Sequence, residues 1–315
     1  MDRNLALELV RVTEAAALAS ARFFGKGDPS IADRAAVEAM ELSFKGVKIS
    51  GHVVIGEEPM SEHSRLCAGD MVGAGGEWEF DIAVDPVDCI EALADGQSNS
   101  ISAIAMGERG AFLKLPAPAM RIIAVGPEAA DAIDLNAPVF DNLVRIAESK
   151  RVYVEDLTVS ILDRERHRKL IEEVRKAGAR IELLKDGELA AALSAALPGT
   201  GIDVMTGVGE AKPGIIAAAA LACIGAGFQA QFVPDPNAEP ESLPAEFKKI
   251  YRARDLVGGG NIMFAATGVS RSDFLDGVMF RPGGAITSSV VFRSKSGTIR
   301  FLKTEHFFEK TPDYT

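Results

Sequence analysis

The stretch Glu79-Phe80-Asp81-Ile82-Ala83-Val84-Asp85-Pro86-Val87-Asp88-Cys89-Ile90 constrains this chain more than any other. Ile82 and Val84 alternate with Asp81 and Ala83, the period of a strand, and Pro86 removes an amide donor. The pattern predicts a strand over Glu79–Val84, with Asp85 and Asp88 where it opens into a loop. Carboxylates at a strand end suit a hard cation such as Mg2+, which takes oxygen ligands and leaves positions for water and a substrate phosphate. A second acidic strand end follows Val53-Val54-Ile55 at Gly56-Glu57-Glu58. Either fragment alone reads as a solvated turn; the two together point to a metal.

Asp81 to Asp88 resembles the metal-binding signature of class II fructose-1,6-bisphosphatases, in the lithium-sensitive, Mg-dependent sugar and inositol phosphatase superfamily. Other segments keep the family's order: the opening helix Asn4 to Ala15, Gly25-Lys26-Gly27-Asp28 with Asp33, Ile161-Leu162-Asp163-Arg164 with Arg166-His167, Asp186-Gly187-Glu188, Ala266-Thr267-Gly268-Val269 and Arg293 to Thr298. The resemblance covers nearly the whole chain. It implies an α/β fold, a layered αβαβα sandwich of the sugar-phosphatase type. It further implies Mg2+ (or Mn2+) on Asp33, Glu57, Asp85 and Asp88, with Asp33, Asp85 and Asp88 also catalytic. A phosphorylated sugar would lie on Arg164, Arg166, Asp186, Glu188 and Gly209, and the chain is expected to form a homo-oligomer.

The sequence departs from the family at the chemistry. Cys89-Ile90 stands where Gly-Thr is expected, and Ile90 has no hydroxyl with which to position an attacking water. Pro213 stands where a glutamate would ligate metal, leaving Glu210, three residues earlier, as the candidate replacement. Glu57-Glu58-Pro59 replaces an acidic Gly-Glu-Gly-Glu run, and Ala119 and Ile122 occupy positions expected to carry a tyrosine and a lysine.

The remaining features set bounds. The 315 residues carry a formal charge of −11, which argues against a general nucleic-acid or anionic-membrane surface. Cys67, Cys89 and Cys223 have neither zinc spacing nor an even disulfide framework, so a reducing cytoplasm is the simplest setting. No apolar run is long enough to span a membrane, and no signal peptide is evident.

Along the chain, helices are expected over Asn4–Phe24, with Glu8, Arg11 and Glu14 facing water, and over Ile31–Phe44, with Asp33 in its first turn. Strands are expected at Ile49–Ile55, Glu79–Val84, Ser100–Met106, Phe112–Leu115 and Arg121–Val125, with hairpin-like spacing. After Pro138 helix and strand alternate, giving a soft boundary near Lys150 between halves 1–150 and 151–315. Gly207-Val208-Gly209 reads as a loop before an apolar helix, Val233–Pro240 as an acidic surface loop, Trp78 as a packing residue, and His52, His63 and His306 as structural. Arg164, Arg166 and His167 read equally as a solvated helix face or as a phosphate cluster, and the resemblance tips them towards phosphate.

Three functions remain open at this level: a Mg-dependent phosphomonoesterase of the fructose-1,6-bisphosphatase type with weak activity on that substrate, a relative repurposed for another sugar phosphate, and a non-catalytic sugar-phosphate-binding or partner paralogue.

Overall fold

A computed structural model describes residues 4–58, 66–114, 118–234 and 244–309. The chain sorts into two compact units, Met1–Phe112 with Gly258–Thr315, and Leu113–Val257. The second unit is thus an insertion in the first, rather than a C-terminal half beginning near Lys150. His63, Leu115 and residues 235–240, on which expectations were placed, lie outside the described residues.

The first unit opens with α1 (Leu5–Ser20) and α2 (Pro29–Phe44), followed by β1 (Ser50–Ile55), β2 (Met71–Val72), β3 (Glu79–Asp88), α3 (Ile90–Ala94) and β4 (Ile101–Glu108). Most of α1 is buried, Leu9, Val12, Ala15, Ala16 and Ala17 completely so, as expected of a helix apolar on nearly every side. Glu14 does not face water as its spacing suggested. It is buried and accepts a hydrogen bond from Thr287 Oγ1 at 2.9 Å, with His306 Nε2 on the same hydroxyl. Trp78, in contrast, is 59% exposed and packs little. No extended strand forms over residues 112–114.

The inserted unit contains β5 (Ala119–Val125), α4 (Val139–Lys150), β6 (Thr158–Leu162), α5 (Arg168–Ala177), β7 (Arg180–Leu184) and α6 (Glu188–Ala196). After these come β8 (Val204–Glu210), α7 (Ala211–Ile224), β9 (Gly227–Val233), α8 (Ala245–Lys248), β10 (Tyr251–Arg252) and α9 (Ala253–Leu256). Its sheet runs β10-β9-β5-β8-β6-β7, with β6 parallel to β7 and β8, and β5 antiparallel to β8 and β9. Strand alternation sends Ile123 and Val125 into a core with Leu143 and Ile146 of α4 and Ile171 and Val174 of α5. Met120 and Ile122 point to the other face, where both touch the position of a Gly214 Cβ, so glycine at 214 lets α7 pack there without displacing them.

The chain then returns to the first unit as β11 (Met263–Gly268), β12 (Met279–Arg281), β13 (Gly284–Arg293) and β14 (Thr298–Phe307). Among the described residues its sheet is eight-stranded, ordered β12-β13-β11-β4-β3-β1-β2, with β14 on the free side of β13. β3 and β4 are antiparallel, but β1 and β3 are parallel, so this region is not the run of hairpins its spacing suggested. β4 takes its other partner, β11, from beyond the insertion, and only that long-range pairing completes the core under α1. Each unit is a mixed sheet layered with helices, and the protein is α/β sandwich in class.

Candidate functional site

The acids of the first unit are placed by β1, β3 and α2. β3 does not stop at Val84; it continues to Asp88, with Asp85 opposite Ala103 and Asp88 opposite Ile101 of β4 and an irregular register between them. Pro86 lies inside that irregularity, where a residue without an N–H is tolerated, so the proline bends the strand instead of ending it. Asp85 and Asp88 are each only 6% exposed, too deep for solvated turn residues. β1 runs parallel to β3, and the last pair is Ile55 opposite Ala83, two residues before Glu57 and Asp85 in their respective strands' continuations. Glu57 is held by a bridge to Cys67 and by its N–H on Leu66 O at 2.9 Å.

α2 begins at Pro29, two residues earlier than expected, because the Asp28 side chain caps it by accepting from Ile31 N at 3.1 Å. Asp33 therefore lies beyond the first turn, where the helix dipole no longer accounts for an acid. It shares a face with Ala36, Val37 and Met40, the residues α2 buries against the β3 core, and is itself half-buried. Among the described residues no three His, Cys, Asp or Glu side chains group closely enough to cage a metal. The donor chemistry nevertheless fits Mg2+, which is commonly bound through one or two carboxylates and completed by waters and phosphate.

Directly after Asp88, Cys89 occupies the left-handed region at φ 65°, ψ 48°, a conformation glycine adopts freely and a β-carbon opposes. Its Sγ lies 3.3 Å from Asp88 Oδ2, and Ser100 Oγ donates to its carbonyl at 3.1 Å. Ile90, the first residue of α3, packs against the main core of the unit, so an apolar contact has replaced whatever a hydroxyl would do there.

In the inserted unit the β6–β8 ladder holds only Val159 opposite Val204 and Ser160 opposite Met205 before the strands part. His167 fills the gap. Its Nδ1 is 2.8 Å from Leu162 O and its Nε2 accepts from Val208 N at 2.8 Å, which fixes a neutral ring with the proton on Nδ1. Burial is the main cause that lowers its pKa, and the charges of Arg166 and Arg164 act in the same direction. A Cβ at Gly207 would come within 3.1 Å of the ring, so glycine there makes room for it. Next to it the Arg166 guanidinium grips Val208 O through Nε at 3.1 Å and a terminal nitrogen at 2.7 Å. Arg164 is exposed and only brushes Asp163 O at 3.5 Å. The expected basic cluster thus splits into a clip, Arg166 with His167, and a free-standing cation.

Gly207-Val208-Gly209 is part of β8, paired with Ile122, Arg121 and Met120 of β5, and not an anion-binding loop. The two glycines accommodate neighbours: a Cβ at Gly209 would sit 2.5 Å from Glu188 Oε1. Glu188, at the start of α6, is 6% exposed, and its Oε1 accepts from Glu210 N at 2.9 Å. Burial pushes its pKa up, opposed by that amide and reinforced by Asp186 and Glu210. Asp186 Oδ1 accepts from Gly187 N at 3.0 Å, in a turn that Gly187 makes at φ 102°. Glu210 itself is exposed at the N-cap of α7, and Pro213 is buried in that helix's first turn, where no N–H is required. Arg166, Glu188 and Gly209 are thus tied to one strand, β8. The part of His167 was not readable from its sequence neighbours; the only signal was a glycine 40 residues away at Gly207, by residue numbers.

Carboxylates buried at a bulged strand end, with a second acidic stretch following the parallel neighbour, are of the residue type a hard divalent cation takes. A sequence profile described as bacterial fructose-1,6-bisphosphatase, glpX-encoded, matches residues 3–306, and the chain belongs to that family. The chain is 39% identical over 334 aligned positions to the D-fructose 1,6-bisphosphatase class 2/sedoheptulose 1,7-bisphosphatase of Synechococcus sp. (strain JA-2-3B'a(2-13)), covering 97% of this chain and 96% of that protein. It is 38% identical to the protein of the same description from Trichodesmium erythraeum (strain IMS101), covering 99% and 98%. No helix among the described residues is long and apolar enough to cross a membrane.

Proposed function

We propose that this protein hydrolyses a phosphomonoester of a sugar bisphosphate in a Mg2+-dependent reaction, with fructose 1,6-bisphosphate and sedoheptulose 1,7-bisphosphate as the first substrates to test, and that its turnover is weak. What supports the reading is the parallel register of β1 on β3, whose last pair, Ile55 with Ala83, lies two residues before Glu57 on one chain segment and two before the buried Asp85 on the other. Asp85, Asp88, Glu57 and Asp33 are the residues assigned to hold the cation, which when bound neutralises phosphate charge and makes water a better nucleophile. Arg166, whose guanidinium is already oriented by Val208 O, takes a substrate phosphate; Arg164 adds charge; Asp186, Glu188 and Gly209 bound the sugar.

Weak turnover follows from Ile90 and Pro213. Most of the catalysis in metal-assisted phosphoryl transfer is placement of water and neutralisation of charge. The Ile90 side chain donates no hydrogen bond and packs, partly buried, against the core, while Pro213 supplies no oxygen ligand from its side chain. Glu210, the carboxylate nearest to Pro213 in the sequence, is exposed at the end of β8. Calorimetric titration with Mg2+ tests the metal assignment without relying on activity. Native protein is expected to bind with a heat that disappears in Asp85→Asn; equal heats in both would remove Asp85 from the site.

A further inference from the structure

We propose that a cavity on the α4/α5 face of the inserted unit binds a small anionic molecule with an apolar body; it shares Arg166 with the proposed sugar-phosphate contacts, whereas Asp186, Glu188 and Gly209 do not line it. The inference goes beyond the phosphatase reading and does not depend on it. The cavity encloses about 350 Å³. Protein cores seldom leave voids much larger than a water molecule, whereas small-ligand sites begin near this size. Its floor is cut from the unit's own core, by Ile123 of β5, Leu143 of α4, Val159 of β6 and Val204 of β8, with Leu135 at the side.

Charge decides what kind of ligand that floor would accept. Arg121, Arg166 and Lys169 line the cavity against one carboxylate, Glu173, and Glu173 is engaged by Lys169 at 3.8 Å. Arg166 is turned to Val208 O. Arg121 is part-buried, and its guanidinium donates to the neutral amide oxygen of Gln231 at 2.9 Å. Among the described residues no carboxylate pairs with it. Burial accordingly lowers its pKa. A desolvated guanidinium without a counter-charge, facing a cavity, is stabilised by any anion placed there, and its planar fork favours carboxylate, phosphate or sulfonate. Fully hydroxylated sugars match the apolar floor poorly, which argues against the substrate itself as the occupant.

The site also has a route to β8. The occupant would touch Thr206, Gly207 and Val208, and Val208 is the residue held by His167 and Arg166. Gly209 and Glu210, against which Glu188 rests, follow immediately in the same strand.

The test uses the full chain and the fluorescent anion 1-anilinonaphthalene-8-sulfonate, whose fused rings and single sulfonate match floor and charge. Native protein should give saturable fluorescence with one probe bound per chain. Arg121→Gln should weaken binding about tenfold or more, the loss expected for one charge-assisted contact. Val139→Trp, which fills the cavity from the half-buried start of α4, should abolish it. Circular dichroism melts establish that each variant is folded, and Arg121→Gln carries the test alone if Val139→Trp has lost its transition. Absence of saturable binding to native protein, or equal affinity in native and Arg121→Gln, would overturn the proposal.

Discussion

The backbone N–H of Val208 is bonded to Nε2 of His167 at 2.8 Å, so a side chain stands where a β6–β8 ladder bond would otherwise lie. Removing it leaves Val208 N–H and Leu162 O without their partner in a buried place, together with a cavity the size of the ring. His167→Ala is expected to cost about 2–4 kcal/mol of unfolding free energy, measured by denaturant titration. A loss under about 0.5 kcal/mol, within the range of ordinary surface exchanges, would mean the strand gap is held by other contacts.

The same histidine has a pH signature. Its pKa in the fold lies below the ordinary value of 6.5, so at acid pH the unfolded chain holds the extra proton. The contribution of the neutral ring is therefore fully present above about 6.5 and declines as pH falls below it. His306 is lowered as well and acts with the same sign. Melting temperature should fall between pH 7 and 5, and a His167→Ala variant should show a shallower fall than native protein. Parallel slopes would assign the acid sensitivity elsewhere.

Glu188 predicts the opposite slope. Its pKa is raised by burial, so the stability of the fold is highest below the ordinary value of 4.5 and declines as pH rises through the folded value. Glu188→Gln, isosteric and still able to accept from Glu210 N, should raise the melting temperature at pH 8 more than at pH 5. Turnover or sugar-phosphate affinity should fall in the same variant, the usual cost when a strained functional group is replaced. A variant equally stable at both pH values and equally active would make Glu188 an ordinary buried acid.

The extent to which this molecule can be read from its sequence follows the range of the interactions. The alternation of helix and strand after Pro138 was legible because its periodicity is local, and α4, β6, α5 and β7 follow it. Asp88 was misplaced because Pro86 reads as a strand end, whereas a bulge absorbs it within the ladder. The insertion could not be read at all, since β4 finds β11 only across 150 or more residues, from Glu108 to Met263 by residue numbers. Likewise Gly207 and Gly209 look like a loop in isolation; they are strand glycines because His167 and Glu188 need the space.

Cys89 offers a backbone test. A non-glycine residue in the left-handed region costs roughly 1–2 kcal/mol, while the buried sulfur returns part of that. Cys89→Ala keeps the strain and loses the sulfur, so it should be the least stable of the three residues here. Cys89→Gly should exceed it by about 1 kcal/mol in denaturant titrations, reversing the usual order in which alanine outranks glycine. The usual order would place Cys89 outside the left-handed region.

The central claim is tested most directly by phosphate release from fructose 1,6-bisphosphate and from sedoheptulose 1,7-bisphosphate, with saturating Mg2+ and with chelator, by native protein and by the combined Cys89→Gly, Ile90→Thr, Pro213→Glu variant. The account predicts slow, Mg2+-dependent release by native protein and at least a tenfold gain in the variant, about 1.4 kcal/mol of barrier. No Mg2+-dependent release by either protein would contradict the phosphatase assignment, and native turnover matching the variant would contradict the weakening assigned to Ile90 and Pro213.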